Sequence, residues 1–296
     1  MFLIIHNPLS NNRKSKKTTN KMVKFFKRNS IPFMLRSTLK IENLNDFLDK
    51  SPRFTDIVYL GGDGSLNYLI NNVDVSKIKQ NIYLAKSGSG NDFLRSLKRI
   101  KKGSVTIGEA VTDNKTVKFI NGAGIGIDSL VCHYVNSDAN KSKLSYFIHF
   151  FRAIIKFKRT DFEVVVDGKN YAFEKAYFVT IQNGKYFGGG MKAASTADIT
   201  NDNFIVLVAH NLNNFLIQLI FVTIYLGWHK YFKRRATFIT GKKIEIKVPT
   251  ALYFQTDGEA IENVTNVNIK KVASREFIAF NKKDFKNIIA KKYHSN

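Results

Sequence analysis

Residues 56–72, DIVYLGGDGSLNYLINN, change character at Gly61. Before that point Ile57, Val58, Tyr59 and Leu60 form a continuous apolar run of strand length, and after Ser65 the apolar residues take helical spacing. A strand that ends in Gly61-Gly62-Asp63-Gly64-Ser65 and feeds a helix gathers several backbone N–H groups and a helix N-terminus at one point, which suits phosphate oxygens. Glycine is required where a Cβ would block such close approach. Asp63 is unexpected among these donors, because a carboxylate repels an anion unless it binds a metal or accepts a proton. The alternative is an ordinary strand-to-helix turn with Asp63 as a helix cap.

The same logic recurs at 81–100, NIYLAKSGSGNDFLRSLKRI, where Gly88, Ser89, Gly90 and Asn91 separate a strand from a helix that begins at Asp92. Neither loop continues into Gly-Lys-Ser/Thr, and neither has the dinucleotide pattern with its downstream acidic residue. Working outward, the periodicity predicts strands over 2–6, 33–37, 56–60 and 81–85 and helices over 18–29, 42–50, 66–72 and 92–100, the signature of a parallel sheet with covering helices. From about Val117 the texture becomes β-rich, with runs at 162–166, 175–182, 204–209, 243–248, 251–255 and 267–271 and turns such as Asp167-Gly168. The expected architecture is a Rossmann-like α/β domain over 1–118, a mostly β, sandwich-type domain over 119–280, and a final helix over 281–296 that packs back on the first. Leu144, Phe147, Ile148, Phe151, Ile154 and Ile155 share a helical face, with Lys143, Arg152, Lys156 and Lys158 elsewhere around it, so this helix either covers its own sheet or lies on a membrane surface.

At 296 residues and 44% hydrophobic content the chain can bury two cores. A single cysteine, Cys132, excludes a disulfide framework, and no Cys/His cluster has zinc spacing. The start at Met1 lacks a basic leader and reads as a strand, and the longest apolar stretch, 215–227, falls short of the roughly 20 residues that span a bilayer. A cytoplasmic protein is therefore expected. The net charge of +24 is the outstanding bulk property. Ten basic residues and no acidic one lie between Asn11 and Ile41, and a second cluster comprises Lys230, Lys233, Arg234, Arg235, Lys242 and Lys243. Such a surface attracts nucleotide, nucleic acid or anionic lipid, or is simply solvated.

Taken in order, Asn7-Pro8-Leu9-Ser10, GGDGS at 61–65 with Asn67, SGSGNDFLR at 87–95, NGAGIGID at 121–128, YFGGGM at 186–191, Gly227 with His229, and Asp257-Gly258-Glu259 resemble the diacylglycerol kinase catalytic domain family. That family includes soluble bacterial lipid kinases and is related to sphingosine and ceramide kinases. The resemblance implies an ATP-dependent lipid kinase with an NAD kinase/diacylglycerol kinase-like fold, using ATP and Mg²⁺, with diacylglycerol the leading acceptor. It implies an ATP site between the domains formed by Asn7, Pro8, Leu9, Ser10, Asn11, Thr38, Gly61, Gly62, Asp63, Gly64, Ser65, Leu66, Asn67, Tyr68, Gly88, Ser89, Gly90 and Asn91. Glu259 falls where the family places its catalytic base, with Asp63 as a partner near the phosphates or Mg²⁺ and Asp92 and Asp128 as cleft carboxylates. A structural Mg²⁺ of some members would fall to Asn201 and Asp202, which stand on the family's Asp-Gly pair. Further departures are Asn11 for glycine, Ser65 and Ser89 for threonine, Tyr68 for an acidic residue and Ser195 for proline.

Two other readings stay open. One is a kinase of a soluble acceptor such as NAD, against which the SGSGND loop and the DGE segment argue. The other is a catalytically weak protein that binds membranes or nucleic acid through its charge, although no nucleic-acid recognition motif is present. Peripheral membrane partners are expected, nucleic acid is not, and an exposed β edge could pair two chains as a homodimer.

Overall fold

The computed structural model of the chain describes residues 1–10, 15–88, 90–100, 102–138, 143–226, 234–283 and 285. Two compact units emerge, Met1–Val105 with Ser274–Asn296, and Thr106–Ala273. The N-terminal unit is α/β, and the C-terminal unit is β-rich.

In the N-terminal unit β1 (Phe2–His6), β2 (Phe33–Ser37), β3 (Asp56–Gly61) and β4 (Asn81–Lys86) alternate with α1 (Ser15–Arg28), α2 (Leu44–Asp49), α3 (Asp63–Asn72) and α4 (Asp92–Ile100). The strands pair in parallel in the order β2-β1-β3-β4. Strands of a parallel sheet are covered on both faces, which explains why β3 is an unbroken apolar run with no alternation. Helix α1 sends Met22, Phe25 and Phe26 into a core with Phe2, Val58 and Tyr83. Phe285 joins the same core, in van der Waals reach of Phe2 and Phe26. Most of the expected final helix, 286–296 and position 284, lies outside the described residues.

The C-terminal unit contains β5 (Lys102–Thr112), β6 (Thr116–Phe119), β7 (Gly122–Gly126), α5 (Ile127–Ser137), α6 (Lys143–Lys156), β8 (Thr160–Val166), β9 (Lys169–Ala176), β10 (Phe178–Gln182), β11 (Phe204–Ala209), α7 (Asn214–Leu226), β12 (Ala236–Gly241), β13 (Ile244–Thr256) and β14 (Glu259–Ala279), of which the first and last strands run across the unit boundary. Antiparallel pairing runs β12-β11-β10-β7-β13-β14, while β8 pairs with both β13 and β9. Alternate residues of these strands, among them Ile125, Val164, Val179, Val206, Ile246 and Phe254, enclose one core. A second core lies beneath α5, α6 and α7.

The chain passes between the units at 105/106 and 273/274 rather than at 118/119 and 280/281. The reason is that β5 and β14 pass through both boundaries as uninterrupted strands, so no turn residue marks the crossing. Similarly, the separate strands expected over 243–248 and 251–255 are one strand, β13, whose register slips between Lys247 and Phe254. Pro249 lies in that slip, where its missing N–H costs no ladder bond.

Candidate active site

Parallel pairing brings four strand ends to one edge of the N-terminal sheet: His6 sits beside both Ser37 and Leu60, and Gly61 beside Lys86. The segments that follow these ends are Asn7–Ser10, Thr38, the Gly61–Ser65 loop and the Gly88–Asn91 loop. In open parallel sheets this edge is where ligands bind.

The two glycine loops are locked backbone to backbone. Ser87 N donates to Gly61 O at 3.1 Å and Asp63 N donates to Gly90 O at 3.2 Å. A Cβ on Gly62 would stand 2.7 Å from Gly88 Cα and 2.5 Å from Gly90 O, so no side chain fits at this crossing. Asp63 completes the lock: its Oδ2 accepts Asp92 N at 2.8 Å and its Oδ1 accepts Phe93 N at 3.0 Å. Asp63 is therefore a cap, but for the helix of the other loop, and its side chain also lines the small pocket at Gly61 and Gly62. Helix α3 is different, since it starts after Gly62 with no side-chain cap. Beyond Gly64 there is open space, and a methyl added there would meet no atom within 4 Å.

Around α3 the remaining expected residues gather. Asn7 Oδ1 accepts Leu9 N at 2.9 Å and its Nδ2 approaches Ser65 Oγ at 3.5 Å. Tyr59 donates its hydroxyl to Ser65 O at 2.7 Å, and burial pushes its ionisation well above the usual range. Thr38, Tyr59, Tyr68, Leu69 and Glu42 line one pocket beside this helix. Leu66 and Asn91 line a smaller one with Gly61 and Gly62. Asn67 accepts Asn71 Nδ2 through its backbone oxygen, and Pro8 O accepts Ser15 Oγ. Asp92 is buried and takes the Arg95 guanidinium at 2.8 Å, which makes it an intrahelical pair rather than an open carboxylate. Asn11, Ser89, Gly227 and His229 lie outside the described residues.

In the C-terminal unit the Asp257-Gly258 turn joins β13 to β14 with both residues at positive φ, 51° and 94°. Asp257 accepts the amides of Ile120, Asn121 and Gly122 at 2.9, 2.8 and 3.1 Å, tying the DGE turn to the start of the NGAGIGID segment. Glu259 follows, exposed to solvent. Asp128, in the first turn of α5, is buried, accepts Gln255 Nε2 at 3.3 Å and has its pKa pushed up to about 6 by that burial. Gly124 makes room for it, because a Cβ there would lie 2.2 Å from Asp128 Oδ2. Burial raises the Cys132 thiol far above its usual range, and the negative charges of Asp128 and Glu259 add to the effect. Gln255 and Tyr59 carried no local signal in the sequence; each acts through a partner distant along the chain or around a turn.

The profile described as "Diacylglycerol kinase catalytic domain" matches residues 1–121, and that described as "YegS C-terminal NAD kinase beta sandwich-like domain" matches 121–273, over half the chain. The chain belongs to the diacylglycerol kinase family. A Staphylococcus carnosus protein named "Putative lipid kinase" is 26% identical over 71% of this chain and 72% of its own length. The Bacillus subtilis protein named "Putative lipid kinase YtlR" is 25% identical over 52% of this chain and 58% of its own. A solved structure named as a "putative diacylglycerol kinase" from Bacillus anthracis str. Sterne shares the fold, with a TM-score of 0.71 at 20% identity over 94% of this chain and 95% of that one.

Within the diacylglycerol kinase family a structural Mg²⁺ at Asn201 and Asp202 was the expectation, and the residues present do not fit it. Asn201 Oδ1 is turned back onto Asn203 N at 3.0 Å. Asp202 is exposed and faces Lys242 at 3.9 Å. Asp198 caps Thr200 through both its amide and its hydroxyl. Among the described residues no three His, Cys, Asp or Glu side chains form a group able to hold a metal ion.

Proposed function

We propose that this chain transfers the γ-phosphate of ATP to a lipid hydroxyl, with diacylglycerol the leading acceptor and phosphatidic acid the product. The observation that carries the reading is the unequal treatment of two helix N-termini. Asp63 occupies the first amides of α4, while α3 starts without a side-chain cap: its first amide goes to Gly90 O, and the next two, of Gly64 and Ser65 beside the open space, suit an anion. The nucleotide's phosphates belong there, held by the amides around Gly64 and Ser65, with Thr38 and Tyr68 lining the adjoining pocket. Mg²⁺ carried on the phosphates supplies charge neutralisation in this chemistry. Glu259 accepts the proton of the lipid hydroxyl as its oxygen forms the new bond to the γ-phosphorus and the bond to ADP breaks. Asp63 acts by positioning the two loops, and Asp128 is a second, buried carboxylate of the C-terminal unit.

The lipid is met at an anionic membrane surface on the cytoplasmic side. Helix α6 buries Phe150, Ala153 and Ile154 yet leaves Ile148, Phe151 and Ile155 exposed, Ile155 at 84%. Phe215 and Leu219 of α7 are also exposed, and Arg152, Lys156 and Lys158 flank the α6 face. Apolar side chains bordered by cations suit the interface of anionic lipid. The face differs from the single stripe expected from periodicity, since Ile154 points inward. No helix among the described residues is long and apolar enough to cross a membrane.

Purified protein with labelled ATP and Mg²⁺ is offered a panel of lipid alcohols in mixed micelles, and NAD in solution. Phosphatidic acid is the expected product, and Glu259→Gln is expected to lower kcat on the order of 100-fold or more. Turnover of NAD alone would reassign the acceptor, and product formation undiminished in Glu259→Gln would remove the base.

A further inference from the structure

The C-terminal unit holds a built cation site whose cation is a side chain. Lys271, on β14, reaches Thr106 Oγ1 at 2.7 Å, Asn183 Oδ1, and the backbone oxygen of Asn201 at 3.4 Å. Its ammonium also lies 4.3 Å from the centre of the Phe204 ring. An ammonium has three N–H donors, and three oxygens receive them here. The oxygens come from three separate segments: β5, the turn after β10 and the loop before β11.

Those oxygens are aimed by other bonds. Asn183 spends its two amide hydrogens on Thr106 O and Ile120 O, both at 2.8 Å, which turns its Oδ1 inward. Thr106 is fixed by its own amide, which donates to Ile199 O at 2.9 Å. Burial lowers the Lys271 pKa to about 8, and the negative charges of Asp202 and Asp198 at longer range partly offset that in favour of the ammonium, although both carboxylates make their closest contacts elsewhere. A divalent ion wants about six oxygens, several of them carboxylate, at roughly 2.0–2.6 Å. Beside the Lys271 ammonium it would meet a like charge and mostly neutral oxygens.

We infer that the ammonium of Lys271 replaces the structural divalent cation in this chain, cross-linking β5, the Asn183 turn and the Asn201 loop through Thr106, Asn183 and Asn201. The unit then folds to full stability without metal, and the divalent requirement of the protein is confined to the nucleotide. This does not depend on which acceptor is phosphorylated.

The test is thermal unfolding of the purified full chain without nucleotide, in EDTA and then in millimolar Mg²⁺ or Ca²⁺. The expected midpoints agree across all three conditions, and Lys271→Met, which keeps the aliphatic stem, unfolds about 5 °C lower. A wild-type midpoint that falls in EDTA and returns with Mg²⁺ overturns the inference, and so does a Lys271→Met midpoint equal to wild type. Should Lys271→Met fail to fold, the wild-type metal series still decides.

Discussion

At Asp128 the chain keeps an acid out of water where folding alone would favour an amide. Its folded pKa of about 6 exceeds the ordinary aspartate value of 3.8, so proton binding favours the folded state. The associated stability is fully present below the unfolded value and is lost as pH rises through 6, a cost of about 3 kcal/mol once the group is ionised. Asp128→Asn is therefore expected to match wild type in thermal midpoint near pH 4 and to exceed it by several degrees at pH 8, read by melts across that range. A gap that shrinks as pH rises would show that burial is not what holds this carboxyl up. The candidate site residues differ in how far they could be read from sequence. The glycine loops announce themselves through short contiguous motifs, whereas Glu259 stands out only through the family resemblance of the Asp257-Gly258-Glu259 segment. What Asp63 does was not readable, because its partners, Asp92 and Phe93, lie across the sheet edge on another helix.

Helix α3 is the element on which the proposed nucleotide binding turns, and two glycines at its start separate packing from that role. An alanine methyl at Gly62 would collide with Gly88 and Gly90 backbone, and overpacking of this kind costs about 1–3 kcal/mol. Gly62→Ala is expected to lower the thermal midpoint. At Gly64 the space is open, so Gly64→Ala is expected to melt like wild type while raising the KM for ATP on the order of tenfold, because the methyl enters the proposed phosphate position. Equal loss of stability in both variants would contradict the backbone lock. Elements themselves were legible where local pattern dominates: β1, β2 and α4 begin and end where periodicity places them. They were less legible in β13 and β14, whose length comes from pairing with strands on either side.

For the whole molecule the governing quantity is the net charge of +24, which acts beyond any single contact. With the exposed face of α6 it predicts binding to vesicles containing phosphatidylserine or phosphatidylglycerol, weakening as salt shortens the Debye length. Phe151→Asp with Ile155→Asp is expected to reduce vesicle co-sedimentation by roughly tenfold or more with no loss of thermal stability, since neither side chain is buried. Retained binding in that double variant would move the docking surface elsewhere.

The order of strands and helices, the two-unit plan and the identity of the motif residues were determined by the sequence itself, because apolar periodicity and glycine placement are local properties of the chain. Tertiary structure alone decided which carboxylate caps which helix, which acid loses its water, and that Lys271 stands among the oxygens of Thr106, Asn183 and Asn201. Each of these depends on groups far apart in sequence meeting within a few ångströms, where hydrogen-bond geometry and desolvation, rather than residue type, set the chemistry.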